Sequence, residues 1–132
     1  MNIETRQSQS HKNHVLWQKA MKVALEVHEL TLRLPRYELF GLTSQMRRAA
    51  VSIPSNIAEG AARRSTREYL AFLHIARGSL AELDTQLILA RDIGYLSDDA
   101  TTPALATLDE VGRLLTAVIR KLKVRLEEGI KD

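Results

Sequence analysis

No cysteine occurs anywhere in the chain. That absence excludes disulfides, thiolate zinc sites and cysteine nucleophiles together. It is also the habit of proteins kept in a reducing compartment, so the cytoplasm is the expected location. Aromatic residues are scarce, 5% of 132, and the abundance of Leu and Ala beside them favours helices over strands. No uncharged apolar run is long enough to cross a bilayer, and the polar residues 1–13 lack the apolar core of a signal peptide. Neither membrane insertion nor secretion is expected. The Gly-x-Ser-x-Gly, P-loop and dinucleotide patterns are missing too, which removes sequence support for acyl transfer and nucleotide hydrolysis.

Metal chemistry has as little support. Bundles that do redox work hold paired metals with Glu-x-x-His motifs, whose i, i+3 spacing turns both ligands inward; this chain has none. His11, His14, His28 and His74 are scattered, and only the first two lie close in sequence. No metal, no cofactor and no enzymatic activity are therefore expected. Glu59 with Glu82 is the one carboxylate pair suited to acid–base work. Neutralisation of each by an arginine in a helix–helix ion pair is the simpler reading.

What the chain has is apolar content, 45%, laid out at helical period. Its length suits one domain, assigned to residues 14–128, with a polar flexible arm at 1–13 and a short tail at 129–132. Leu16, Ala20, Val23 and Val27 recur at i, i+4, i+7, i+11, with Trp17, Met21, Ala24 and His28 widening the stripe. This predicts a first helix ending near Leu34, before Pro35. A second follows a Pro- and Gly-bearing connector: Leu42, Met46, Ala49, Ile53 and Ile57, capped by Thr43 or Ser44 and ending near Gly60. Pro54 lies inside it and predicts a kink at residues 51–54, because proline removes one backbone hydrogen bond and clashes with the preceding turn.

The third helix opens on a capping box, Ser65 to Glu68. It continues through the seam Tyr69, Leu73, Ala76, Leu80, Leu83, Leu87 and Ala90, and Gly94 supplies its C-terminal cap. Residues 95–102 read as a loop, with Thr102 capping a fourth helix and Pro103 as its first residue. That helix would bury Leu105, Leu108, Val111, Leu115, Val118, Leu122 and Leu126. Four amphipathic helices with short connections and no strand pattern predict an all-α, up-down-up-down four-helix bundle. Gly78, in mid-helix, suggests the close approach of another backbone, within the bundle or from another subunit.

Two sets of polar residues stand out. Ser52, Asn56 and Glu59 on the second helix, with Arg77, Ser79, Glu82, Thr85 and Gln86 on the third, flank the apolar seam, where burial makes polar groups costly unless they pair. They read as a structural network between helices or subunits, ahead of direct ligand contact. The second set is basic: Arg47, Arg48, Arg63, Arg64 and Arg67 around helix two, and Arg113, Arg120, Lys121, Lys123 and Arg125 on helix four. Net charge is only +3, with a sequence pI of about 9.4, but arginine dominates, and its planar fork suits phosphate oxygens. On helix four the late bases also complement the helix dipole. No aromatic platform accompanies these clusters, which argues against reading of single-stranded bases.

Three stretches carry a resemblance: residues 15–21, residues 41–60 with Ser52-Ile53-Pro54-Ser55-Asn56-Ile57-Ala58-Glu59-Gly60, and residues 76–86 with Ala76-Arg77-Gly78-Ser79-Leu80-Ala81-Glu82. Together they resemble the signature of the four-helix-bundle proteins encoded in intervening sequences of large-subunit ribosomal RNA genes. The resemblance implies a left-handed bundle assembled as a homopentameric ring. That family is in turn similar to the accessory variability determinant of diversity-generating retroelements, a basic pentameric bundle that engages RNA and a reverse transcriptase. RNA binding on a basic face of a ring follows from it as the expected function, with Arg47, Arg48, Arg63, Arg64 and Arg67 on phosphates and Arg120, Lys121 and Lys123 assisting. The alternative is a protein-interaction scaffold whose arginines serve subunit assembly. Residues 97–102 and the start at Pro103 depart from the acidic helical start expected of the family at that point.

Overall fold

The computed structural model describes residues 14–129 and shows four helices with no strand among them. They are α1 (His14–Thr31), α2 (Leu42–Ala61), α3 (Thr66–Ile93) and α4 (Asp98–Glu127), with one turn of 3-10 helix, Arg36–Glu38, between α1 and α2. Each helix packs on two neighbours, in the order α1, α2, α3, α4 and back to α1, so α1 and α3 occupy opposite corners of a four-helix bundle. The expected arm lies outside the described residues.

The seam is where periodicity put it. Leu16, Val23 and Val27 of α1, Met46, Ile53 and Ile57 of α2, Leu73, Leu83 and Leu87 of α3, and Leu108, Val111 and Leu115 of α4 are almost fully buried. Burial of this kind, at about 25 cal/mol per Å2 of apolar surface, is the main favourable term holding such a bundle together. The stripe of α1 is narrower than expected: Trp17 and Met21 remain 37% and 36% exposed and His28 is exposed. On α4, Ile119 is buried, while Leu105, Val118 and Leu126 are only partly so.

Local chemistry sets the ends. Ser65 Oγ accepts the Glu68 N–H at 3.0 Å, the cap expected for α3, and Gly94 closes that helix in the left-handed region at φ 99°, where glycine avoids the Cβ penalty. Three boundaries differ from expectation. α1 stops at Thr31, and residues 32–34 tighten into i→i−3 bonds, Arg33 N–H to Leu30 O at 3.0 Å among them, the usual way a last turn satisfies its carbonyls. α2 is not capped by Thr43 or Ser44. It begins at Leu42, whose N–H donates to Glu38 Oε1 at 3.1 Å, and Thr43 is buried inside the helix.

The third correction is the start of α4. Ser97, not Thr102, is its cap: the Ser97 hydroxyl accepts the Ala100 N–H at 3.1 Å, and Asp98 and Asp99 fill the first turn, where acid side chains complement the helix dipole. Thr101 and Thr102 turn their hydroxyls onto Ser97 O and Asp98 O at 3.0 and 2.7 Å. Pro103 therefore lies inside the helix, at the cost of one backbone bond. Pro54 likewise lies, buried, inside the single helix α2.

Glu38 ties one end of the bundle together. Besides the Leu42 N–H it accepts the Tyr95 hydroxyl on Oε2 at 2.8 Å, so the 3.2 Å contact between Tyr37 and Tyr95 is donated by Tyr37. At the other end Gly60 allows α2 and α3 to meet closely. A Cβ there would stand 2.8 Å from Tyr69 Cδ1 and 2.9 Å from Phe72 Cβ. Gly112 is different: its Cβ would sit at an ordinary 3.7 Å from Leu80 Cδ1.

Gly60→Ala should therefore lower stability by about 1–3 kcal/mol through overpacking, while Gly112→Ala should raise it by about 0.5–1 kcal/mol through helix propensity, both read from urea unfolding. Tyr69 yields a second expectation. Its buried hydroxyl has no partner among the described residues, and burial pushes its pKa up to about 12 from 10.0. A folded pKa above the unfolded one contributes stability that is complete below pH 10 and is lost as pH rises toward 12. Tyr69→Phe should be at least as stable as wild type at pH 7, and its advantage should widen in unfolding measurements between pH 10 and 12.

Candidate nucleic-acid interface

The up-down topology decides which basic residues share a surface. α2 ends at Ala61 and α3 starts at Thr66, while α4 runs back along α3 to finish at Glu127. The 63–67 arginines and the late bases of α4 consequently lie at the same end of the bundle. Residues 59–68 and 120–128 hold seven Arg and Lys against four Asp and Glu, a net positive end. At the opposite end, residues 29–48 and 91–99, the count is five against five.

Not every base is free to bind. The Arg63 guanidinium lies 4.8 Å from the centre of the Phe72 ring, a cation–π distance, and 4.0 Å from Glu59 Oε2. Arg64, Arg67, Arg120, Lys121, Lys123 and Arg125 are exposed and have no ion pair or hydrogen bond among the described residues. Arg113 pairs with Asp109 one turn before it, at 3.5 Å.

Arg47 and Arg48 do not join this end. Fifteen residues separate Arg48 from Arg63 along α2, roughly 22 Å at helical rise. Arg47 is also engaged: its Nε donates to Thr31 Oγ1 at 2.8 Å, and the buried Thr31 hydroxyl donates in turn to His28 O at 2.8 Å. Arg47 is thus a clamp between α1 and α2. Thr31 was absent from the sequence reading because nothing local distinguishes it. Only the antiparallel packing of two helices brings it to Arg47.

The polar residues of α2 and α3 separate in the same way. Ser52 Oγ and Ser79 Oγ stand 2.7 Å apart across the two helices, and Asn56 Nδ2 donates to Ser52 O and Oγ at 2.8 and 2.9 Å. Gln86 lies two turns along α3 from Ser79, 7% exposed, with no partner for its buried Oε1 among the described residues. Arg77, Glu82 and Thr85 are exposed and outside this cluster; the Thr85 hydroxyl bonds Ala81 O of its own helix. Glu59 pairs with Arg63. With Ser52 level with Ser79, Glu59 and Glu82 sit about ten residues apart in height, roughly 15 Å, so the carboxylate pair suggested by the sequence does not form. Arg77 instead lines an open groove of about 510 Å3 between α3 and α4, with Leu80, Asp84, Asp109, Gly112 and Arg113.

Among the described residues no group of three or more His, Cys, Asp or Glu is placed to hold a metal, and no helix is long and apolar enough to cross a membrane. Residues 12–117 match the family of the 23S rRNA-intervening sequence protein. The chain belongs to that family. A crystal structure of a protein of unknown function from Bacteroides thetaiotaomicron VPI-5482, of the S23 ribosomal protein family, shares the fold with a TM-score of 0.74. Its identity to this family member is 23%, over 79% of this chain and 97% of that one. No curated protein matches the chain. The acidic helical start expected of the family after residue 97 is present as Asp98 and Asp99. That resolves the departure noted in the sequence, since the assumed loop is helix.

The contrast between engaged and free arginines is measurable. Arg47→Ala should cost about 1–2 kcal/mol of unfolding free energy, because Thr31 loses a buried hydrogen bond. Arg64→Ala and Arg67→Ala should stay within about 0.5 kcal/mol of wild type, each read from denaturant unfolding followed by circular dichroism.

Proposed function

We propose that this intervening-sequence protein is a non-enzymatic, self-assembling bundle of the cytoplasm that binds RNA by its phosphates, through the basic end of each subunit in a ring-shaped homo-oligomer. The observation that carries the reading is the gathering of Arg64, Arg67, Arg120, Lys121, Lys123 and Arg125 at one end with no acidic partner among the described residues. Unpaired cations give up no existing ion pair when a phosphate arrives, and each contact releases a counterion from the polyanion. The ring, a pentamer by family resemblance, would repeat the basic end once per subunit and convert a weak single site into an avid one. Contact of arginine and lysine with phosphate oxygens positions a nucleic acid without reading its sequence.

A second reading, a scaffold for a partner protein, has one observation in its favour. Phe40 is 94% exposed on the connector before α2, with Tyr37 and Leu39 also exposed, an apolar group at the end opposite the bases.

The two readings part on a single comparison. An unstructured RNA oligomer is titrated against wild type, Arg64→Glu/Arg67→Glu and Lys121→Glu/Lys123→Glu, with Arg48→Glu as a variant of the far end, and the mass of each is taken by light scattering. Both basic-end variants should lose at least tenfold in affinity at unchanged mass, while Arg48→Glu should bind RNA as wild type does. Equal binding by all four proteins, or none by wild type, overturns RNA binding. Loss of mass in the basic-end variants assigns those residues to assembly and favours the scaffold.

A further inference from the structure

The groove of about 510 Å3 between α3 and α4 has no part in the basic surface described so far. Its floor is apolar: Leu108 and Leu115 are buried beneath it, Leu80 is partly buried, and Gly112 contributes no side chain. Leu80 Cδ1 lies 3.7 Å from the point where a Cβ on Gly112 would stand, so these two residues are level. Because α3 and α4 run in opposite directions, Arg77 is then level with Leu115 and Asp84 with Leu108, and all four line the groove.

Charge is sorted along this groove. Arg77 lies toward the basic end, while Asp84, seven residues later on α3, lies at the far rim with Asp109. Arg77 is exposed and has no ion pair or hydrogen bond among the described residues. The close approach expected at its neighbour Gly78 is absent, since a Cβ there would meet nothing within 4 Å, and this side of α3 is uncovered. Arg113 is held by Asp109 at 3.5 Å with the two side chains 73% and 69% exposed, an ion pair weak enough to exchange for a phosphate. From the groove to the basic end the register pairs residues 69–81 of α3 with residues 111–123 of α4, and neither stretch contains Asp or Glu. Arg113 and Arg120 stand two turns apart on one side of α4 with Lys123 a turn further on, a line of roughly 15 Å that ends among the bases already described.

We propose that the groove takes one unstacked nucleotide of a single-stranded RNA whose phosphates continue to the basic end. A base laid on the leucine floor takes apolar surface out of water, and its phosphate meets Arg77 and Arg113. Asp84 accepts a base N–H but repels a phosphate, so it sets the direction in which the nucleotide lies. Unpaired bases are commonly held against guanidinium planes, and such contact needs no aromatic platform and selects no particular base. The acid-free band leading away from the floor is what favours a polyanion as the occupant. A duplex keeps its bases stacked inside and can offer the groove only its backbone, so the ligand class is RNA with unpaired bases. This inference rests on the phosphate contact proposed above and adds a base pocket to it.

The test titrates an oligouridine and a blunt RNA duplex of the same length against wild type, Arg77→Ala, Gly112→Leu, Thr116→Met and Arg64→Glu/Arg67→Glu, with circular dichroism melting of each protein. Gly112→Leu and Thr116→Met fill the groove without changing charge. Each should weaken oligouridine binding about five- to tenfold and leave duplex binding within about twofold of wild type. Arg77→Ala should weaken oligouridine more than duplex, whereas Arg64→Glu/Arg67→Glu should weaken both alike. Thr116 is exposed, so Thr116→Met decides the matter should Gly112→Leu fail to fold. Folded groove-filling variants that bind oligouridine unchanged, or lose both ligands equally, overturn the pocket, and phosphate contact stands if the double variant still loses both. Binding of neither ligand by wild type overturns the pocket and the phosphate contact together.

Discussion

Four apolar stripes must be buried in one seam, and the connections available to do it are residues 32–41, 62–65 and 94–97. The two links of four residues cannot carry the chain back along a helix of twenty or more residues, so α2, α3 and α4 have to alternate in direction, and the contact of Thr31 at the end of α1 with Arg47 near the start of α2 shows that the ten-residue link reverses the chain as well. Everything functional in the account depends on that alternation. It sends residues 63–67 and the late bases of α4 to one end and leaves Arg48, fifteen residues earlier on α2, near the other.

Charge at the basic end is also shaped by the helices beneath it. The N-terminus of α3 carries partial positive charge, which adds to the attraction that Arg64 and Arg67 offer a phosphate, whereas the C-terminus of α4 carries partial negative charge that stabilises its own bases. Arg63 spends its charge on Glu59 and Phe72. The six free cations are exposed, so their mutual repulsion is screened by salt and costs the fold little. That economy is what allows a domain with a net charge of only +3 to keep one strongly basic surface.

The seam and the helix order were legible because an amphipathic stripe is a local property, repeated often enough in α2 and α3 to survive single exceptions. The capping of α3 by Ser65 and Gly94 was legible for the same reason, being written within four residues. Proline misled at α4. Thr102-Pro103 has the form of a helix start, and only the Ser97 hydroxyl, the two aspartates and the Thr101 and Thr102 hydroxyls bonding backward show the helix already under way. The cap of α2 was out of reach because its acceptor, Glu38, lies outside the helix and is held by Tyr95, 57 residues away. Among the candidate site residues, sequence proximity grouped Arg47 with Arg63. Separating the engaged arginine from the free ones required a partner, Thr31, that a single helix cannot reveal.

The central claim is that unpaired bases at one end of the bundle hold RNA by its phosphates, and its most direct test is the salt dependence of binding by the wild-type protein. Anisotropy of a labelled, unstructured RNA is measured across a series of monovalent salt concentrations, and the logarithm of the binding constant is plotted against the logarithm of salt. Single-stranded RNA gives a slope of about −0.7 for each phosphate neutralised, so six free cations in one subunit predict about −4 or steeper. A slope near zero, with binding that persists at high salt, would contradict phosphate contact and with it the assignment of the basic end.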